Sequence, residues 1–265
     1  MIFLKTSDEI ELLRQANLLV GRALAEVAKI IAPGVTTRQL DKVAEEFIRD
    51  NGAIPTFKGY PNHEGTPFPG SICASVNDVV VHGIPNDVPL KEGDIISVDC
   101  GTLLNGFCGD SCYTFCVGEV DEATKKLLQV TKESLYKGIE QAVHGKRLGD
   151  VGSAVQTHCE QNGFGVVREF VGHGIGRDMH EAPEVPNYGR RGNGLQLREG
   201  MCIAIEPMIT QGSRQIVMEK DGWTVRTKDR KFAAHFEHTV AVRVGKADIL
   251  SSFEYIEQVL GDKSI

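Results

Sequence analysis

The sequence predicts an α+β fold made of two similar halves around one shared sheet. Three observations predict it. A pair of helices with the same punctuation occurs twice, each pair leads into a segment rich in Gly, Pro and β-branched residues, and no convincing linker divides the chain. Gly34 and Gly145 stand 111 residues apart, and so do Gly52 and Gly163. The order helix, Gly, short connection, helix, Asn-Gly, strands therefore repeats. Side-chain identities between the halves are weak, so the alternative to an ancient duplication is a coincidence of two common helix pairs. The expected halves run from about 6 to 117 and from about 121 to 250 within a single domain, 1–265.

The first helix is expected over 6–31. Thr6 and Glu9 form a capping-box pattern, and Ile10, Leu13, Ala16, Leu19, Val20, Ala23 and Val27 recur close to a helical period. Pro33-Gly34 ends it. A second helix starts near Thr36, carries Leu40, Val43, Phe47 and Ile48 inward, and stops at Asn51-Gly52. From about 53 to 117 the texture turns strand-like, with Ile95-Ile96-Ser97-Val98 as a buried run. Helices return at 121–144 and about 148–161, where Asn162-Gly163 stops the second. The stretch 166–244 is again strand-like, with Asp221-Gly222 as a hairpin turn.

Composition sets bounds on the class of protein. The 265 residues can bury a sizeable core without staples, and 41% hydrophobic with 25% charged residues is ordinary for a globular protein. No apolar run approaches the roughly 20 residues that a membrane helix needs. Met1-Ile2-Phe3-Leu4-Lys5 is followed by acidic residues, unlike a signal peptide, so a cytoplasmic location is expected. Seven scattered cysteines, an odd number, do not suggest a disulfide framework. A net charge of −7 without a basic run argues against nucleic acid as the main partner. It suits a substrate with a positive end.

The sharpest local inference concerns Asp99 and Asp110. Between them lies Asn105-Gly106, a strong two-residue hairpin signal. With that turn, Leu104 pairs with Phe107 and Gly101 falls opposite Asp110. Asp99 then shares a face with Asp110 and lies diagonal to it, roughly 7–8 Å away at Cα, within joint reach of a cation. The other reading is two solvent-facing strand residues, although Asp is depleted in strands and Asp99 follows an apolar run. Later segments add His173 among glycines in Gly172-His173-Gly174-Ile175-Gly176, then His180. Glu206 comes before Pro207 at the end of an apolar stretch, and Glu237 stands in Phe236-Glu237-His238-Thr239-Val240. Taken singly, each of these could be a surface His or an edge Glu. Cys108, Cys112 and Cys116 suggest a metal motif, but their spacing is not that of an iron–sulfur site, and on a strand they only share a face.

From Asp99 through Glu237 the order, local context and spacing resemble the type I methionine aminopeptidases, of peptidase family M24 with the pita-bread fold. The blocks that carry the resemblance are Val81-His82-Gly83-Ile84-Pro85, Gly172-His173-Gly174-Ile175-Gly176, Glu206-Pro207-Met208, Asp221-Gly222-Trp223-Thr224 and Phe236-Glu237-His238-Thr239. It covers essentially the whole chain and is of the bacterial type. It implies two pseudo-symmetric halves with a curved antiparallel sheet flanked by helices. It implies metal ligands Asp99, Asp110, His173, Glu206 and Glu237, with Asp110 and Glu237 shared between two divalent ions. Physical chemistry wants the same thing, because four carboxylates in one cavity would be protonated or splayed without cations. Oxygen ligands with one imidazole suit Mn, Fe(II), Co or Zn.

The resemblance also implies roles. Glu206 shuttles the proton of a metal-activated water to the leaving amine, His180 stabilises the oxyanion, and His82 meets the scissile amide or holds the substrate. Cys73 and Trp223 match positions of the methionine pocket, and Met179 stands where relatives often carry an aromatic residue. The stretch 61–69 is longer and more Pro-rich than in bacterial members, Phe68 replaces a usual Tyr, and His63 lies within it. The implied substrate is a deformylated nascent polypeptide with a small second residue. Implied too are a transient ribosome contact, no membrane, no nucleic-acid specificity and a monomer. The alternatives are another pita-bread peptidase of prolidase or X-Pro aminopeptidase type, or a non-catalytic pita-bread binding protein. The former usually carry a large extra N-terminal domain, and the latter lose ligands, whereas all five ligand positions are filled here.

Overall fold

The computed structural model describes residues 2–265. Its helices are α1 (Ser7–Ala28), α2 (Thr37–Asp50), α3 (Glu122–Ile139), α4 (Leu148–Gln161) and the short α5 (Glu254–Leu260). Side chains start the first three. Thr6 accepts from the Glu9 amide while the Glu9 carboxylate accepts from the Thr6 amide, and Thr36 and Gln39 repeat the device. Asp121 accepts from the Thr124 amide. α1 ends three residues short of expectation because the chain must leave the helical region ahead of Pro33. α3 stops at Ile139 rather than 144 because a tertiary pairing takes over: Val143 bridges Arg243, and the His144 amide donates to the Arg243 carbonyl.

In the first half, strands Ile95–Leu104 and Phe107–Cys116, ten residues each, form a hairpin. Asn105 and Gly106 both take positive φ, 53° and 78°, as a type I′ turn requires. Leu104 faces Phe107, Gly101 faces Asp110 and Asp99 faces Cys112, which is the expected register. Ile72–Val76 and Ile54–Pro55 line the other edge of the 95–104 strand. In the second half, a five-stranded sheet runs in the order Asp248–Ile249, His238–Ala241, Cys202–Ile205, Gly172–Gly174, Glu181–Val185.

The two sheets are sewn together along 110–114 and 235–239. The Glu237 amide donates to the Cys112 carbonyl at 2.9 Å, Ser111 Oγ to the Glu237 carbonyl at 2.8 Å, and Thr239 Oγ1 to the Asp110 carbonyl at 3.0 Å. Helices cover the outer faces, and their apolar sides (Val20, Leu24, Leu40, Leu128 and Val155 among others) bury completely against Ile96, Val98, Ile203 and Ile205.

α1 lies on the hairpin unusually closely. A Cβ on Gly109 would come within 2.5 Å of the Ala16 backbone, so only glycine fits. The buried Asn17 side chain then accepts from the Asp110 amide at 3.1 Å and donates to the Leu13 carbonyl at 2.8 Å. A helix residue thereby fixes the backbone that carries a site carboxylate. Cys108, Cys112 and Cys116 behave as strand residues sharing one face, and all seven cysteines are free. Asp221-Gly222 does not make a two-residue turn. The strands end at Met218 and resume at Val225, and Asp221 ties the wider loop by accepting from the Trp223 and Thr224 amides. No helix among the described residues is long and apolar enough to cross a membrane.

Replacing Asn17 with Ala leaves the Asp110 amide buried without its acceptor. The expected loss is about 1–3 kcal/mol of stability, read as a lower urea midpoint with an unchanged slope. A variant as stable as the parent would refute this role.

Candidate metal centre

Two breaks in one antiparallel strand pair bring the acidic residues together. Met208 pairs with His235 on one side of the break, and Ile205 with His238 on the other. Glu206-Pro207 and Phe236-Glu237 occupy the gap between, where Pro207 offers no N–H to continue the ladder. The Glu206 carbonyl is held by Asn187 Nδ2 at 2.9 Å. Because the 235–239 segment is sewn to 110–114, Glu237 meets Asp110 and Asp99 across the seam.

His173 arrives from the neighbouring strand. A Cβ at Gly172 would sit 2.3 Å from the Ala204 carbonyl, and one at Gly174 2.3 Å from that of Ala182, so the flanking glycines permit the close packing that brings the imidazole in. His173 Nδ1 lies 2.9 Å from the Gly174 carbonyl. A carbonyl can only accept, so Nδ1 carries a hydrogen, and the neutral ring that a cation would need turns its Nε2 lone pair to the cavity. Nε2 is 3.5 Å from Asp110 Oδ2 and 3.6 Å from Glu206 Oε1.

Ligand atoms of Asp110, His173 and Glu237 all lie within 4.8 Å of one another. Asp99 Oδ1, Asp110 Oδ1 and Glu237 Oε1 are buried without a hydrogen-bond partner. Three orphaned carboxylate oxygens beside an imidazole lone pair are costly unless cations fill the space between them. This donor set fits divalent metal ions: Asp110, His173 and Glu237 form its tight group, and Asp99 and Glu206 line the same cavity.

The electrostatics agree. Burial, then the charges of Asp110 and Glu206, push Asp99 well above the ordinary carboxylate range. Burial likewise raises Glu237, helped by Asp110 and Glu206. Burial raises Asp110, although His173, whose Nε2 is 3.5 Å away, opposes it. Burial would raise Glu206 too, but His235, whose Nε2 is 3.5 Å away, and the charge of His173 outweigh it and hold Glu206 below its usual value. Burial pulls His173 down, yet Asp110 and Glu206 lift it to about 9.

The ligands line a cavity of about 600 Å³ together with Phe57, Tyr60, Phe68, Cys73, His82, Phe170, His180 and Trp223. His82 is a non-glycine residue at φ 58°, a strained conformation of the kind found at functional sites. It meets Phe170 and Trp223 edge-on, and burial brings its pKa to about 4. His180 packs 4.4 Å from His173 between ring centroids. The groups crowded around it, then His173, draw its pKa towards about 4. Its outer edge remains open to solvent, which limits that shift.

Cys73 and Trp223 are on the cavity wall as expected, and so is His63 of the longer loop. Met179 is not. It is buried in a satellite cluster with Ile10, Leu13, Phe107 and Ile175, with Phe57 packed against it, and Phe57 rather than Met179 reaches the cavity. Gly101 leaves room there, since a Cβ would touch both Met179 and Phe57. The sequence reading missed His235, whose Nε2 is 3.5 Å from Glu206 Oε2. Its place two residues before Glu237 was the available signal. It also missed Tyr60, whose hydroxyl lies 2.8 Å from His180 Nδ1, because no local pattern links residues 120 apart.

Cation uptake should release protons. Asp99, Asp110 and Glu237 have raised pKa values and must ionise to bind a metal, so affinity should fall as pH falls. Calorimetric titration with Mn or Zn in two buffers of different ionisation enthalpy should give buffer-dependent heats. Identical heats would contradict the protonated set.

The sequence profile of metallopeptidase family M24 matches residues 11–243. The methionine aminopeptidase of Clostridium acetobutylicum is 51% identical over 255 residues, covering 96% of this chain and 100% of that protein. Methionine aminopeptidase 1 of Bacillus subtilis is 50% identical, covering 95% and 99%. The crystal structure of the methionine aminopeptidase from Rickettsia prowazekii superposes with a TM-score of 0.91 at 42% identity, covering 95% of this chain and all of that one. The expected pita-bread fold is therefore present. With that fold, that profile match and those relatives, the chain belongs to the M24 metallopeptidases.

Proposed function

We propose that this protein is a methionyl aminopeptidase that removes the N-terminal methionine from new polypeptides with a small second residue. The observation that carries this reading is the convergence of Asp99, Asp110, His173, Glu206 and Glu237, with three orphaned oxygens, on one cavity. Two cations would be held, one by Asp99, the other by His173 and Glu206, with Asp110 and Glu237 shared. Bound there, Mn, Fe(II), Co or Zn would lower the pKa of a water towards neutral and polarise a carbonyl.

The protein's own groups do the rest. Glu206, kept ionised by His235 and His173, accepts a proton at its carboxylate and passes it to the leaving amine. A neutral His180 donates to the scissile carbonyl oxygen as it gains charge. His82 stands across the cavity to meet the scissile amide. Phe57, Phe68, Cys73 and Trp223 form an apolar wall suited to a thioether side chain, with Phe68 and Trp223 edge-on at 5.1 Å. Burial keeps the Cys73 thiol protonated, so it acts as wall rather than nucleophile. An acylated amine cannot ligate a metal, so the substrate is deformylated. The same reading treats 1–265 as one catalytic domain of two related halves, acting as a monomer in the cytoplasm with transient access to the ribosome.

Metal-stripped protein, reloaded separately with Mn, Fe(II), Co and Zn, should release only methionine from Met-Ala-Ser. Preference for the X-Pro bond of a Pro-Pro peptide would instead place it with prolidase-type enzymes. Asp99→Ala should abolish turnover with an unchanged circular dichroism spectrum. Glu206→Gln should lower kcat by about 10²–10⁴-fold. Full activity in either variant would overturn the assignment.

A further inference from the structure

We propose that Tyr60 is a positioning residue: its hydroxyl donates to Nδ1 of His180, which keeps the ring hydrogen on Nε2, the nitrogen left free for the substrate. The proposal rests on the aminopeptidase reading, in which His180 donates to a carbonyl oxygen.

The geometry is specific. Tyr60 Oη and His180 Nδ1 are 2.8 Å apart, and the two rings meet edge-on at 5.2 Å. The Tyr60 hydroxyl has no other hydrogen-bond partner among the described residues. A neutral imidazole carries one hydrogen. If Nδ1 accepts from the phenol, Nε2 carries it and can donate. If Nδ1 donates instead, Nε2 presents a lone pair and would repel a carbonyl oxygen. The crowding around Tyr60 and the charge of Asp178 both hold the phenol in its protonated, donating form.

His173 and His180 thus use opposite tautomers a few ångströms apart. In His173 the Gly174 carbonyl puts the hydrogen on Nδ1 and frees Nε2 as a ligand. In His180 the Tyr60 hydroxyl puts it on Nε2 and frees that nitrogen as a donor. Two like side chains receive different work from the partner on Nδ1 alone.

The supporting loop is built for this. Tyr60 opens a small hairpin, in which the Gly59 amide donates to the Phe68 carbonyl at 2.8 Å and the Phe68 amide to the Tyr60 carbonyl at 2.7 Å. Asn62 Nδ2 ties the loop to the Gly222 carbonyl at 3.1 Å, next to the wall residue Trp223. Asn62 Oδ1 also accepts from the Glu64 and Thr66 amides. The longer 61–69 stretch thereby acts on the chemistry through the phenol at its base.

The test combines a spectrum with kinetics. Long-range proton–nitrogen NMR of ¹⁵N-histidine protein, metal-free and Zn-loaded, reports each tautomer, with His180→Gln to assign the signal. The parent should show His180 protonated on Nε2. Tyr60→Phe should give a mixture or the Nδ1 form, while the buried His238 signal, held by Ser251, stays in place as a check on folding. On Met-Ala-Ser, Tyr60→Phe should lower kcat about tenfold, the scale of one hydrogen bond, with little change in KM. Adding Tyr60→Phe to His180→Gln should cost nothing further. A parent His180 protonated on Nδ1, or a Tyr60→Phe protein with unchanged tautomer and kcat, would overturn the proposal while leaving the aminopeptidase reading intact. A parent that releases no methionine would overturn both, even if the tautomer were as expected.

Discussion

Four carboxylates share one partly desolvated cavity, and every other feature of the site answers to that constraint. Asp99, Asp110 and Glu237 have buried oxygens without partners. Such groups either take up protons or are neutralised by cations. Towards a cation His173 would offer its Nε2 lone pair, because the hydrogen that the neutral ring keeps is donated from Nδ1 to the Gly174 carbonyl. His235 serves Glu206 from the far side and lets it differ from its neighbours, staying ionised where they are driven towards neutrality. In the proposed reaction one cluster supplies both ligands and a base, and the environment separates the two roles.

Holding such a cluster requires a rigid frame, and the frame is the seam between the halves. The ordinary strand ladder is interrupted twice, at Glu206-Pro207 and at Phe236-Glu237, and the gaps face one another. Side chains from 111 to 114 replace the missing ladder bonds across the seam. Close packing depends on small residues at three places. Gly109 lets α1 reach the hairpin, and Gly172 and Gly174 let the His173 strand reach its neighbours. A side chain at any of these would force the backbone it meets to move away from a ligand-bearing strand.

The rim of the cavity is made differently. It consists of loops tied by side chains: Asp221 under the Trp223 loop, Asn62 within the Tyr60 hairpin, and Lys5 paired with Glu181 beside His180.

Much of this was legible before any coordinates. The capping boxes of Thr6 and Thr36 mark helices by local hydrogen bonding, and Asn105-Gly106 sets the hairpin register because few turns join two strands with the right twist. With the register, Asp99 and Asp110 fall on one face. The ligand set as a whole came from the resemblance of short blocks, each of which pairs a ligand with the Gly or Pro that its backbone needs. Other features depended on contacts between distant segments. Phe57 rather than Met179 reaches the cavity because a satellite cluster around Ile10 and Phe107 draws the methionine inward. α3 gives up its last turn to a pairing with Arg243. Tyr60 acquires a partner that no spacing announces, and His235 one that only its place beside Glu237 hints at. Local backbone preferences and chemical identity are properties of the sequence by itself. Which of two neighbouring side chains faces the cavity, and which nitrogen of a histidine holds its hydrogen, is settled only when segments far apart in the chain compete for the same space.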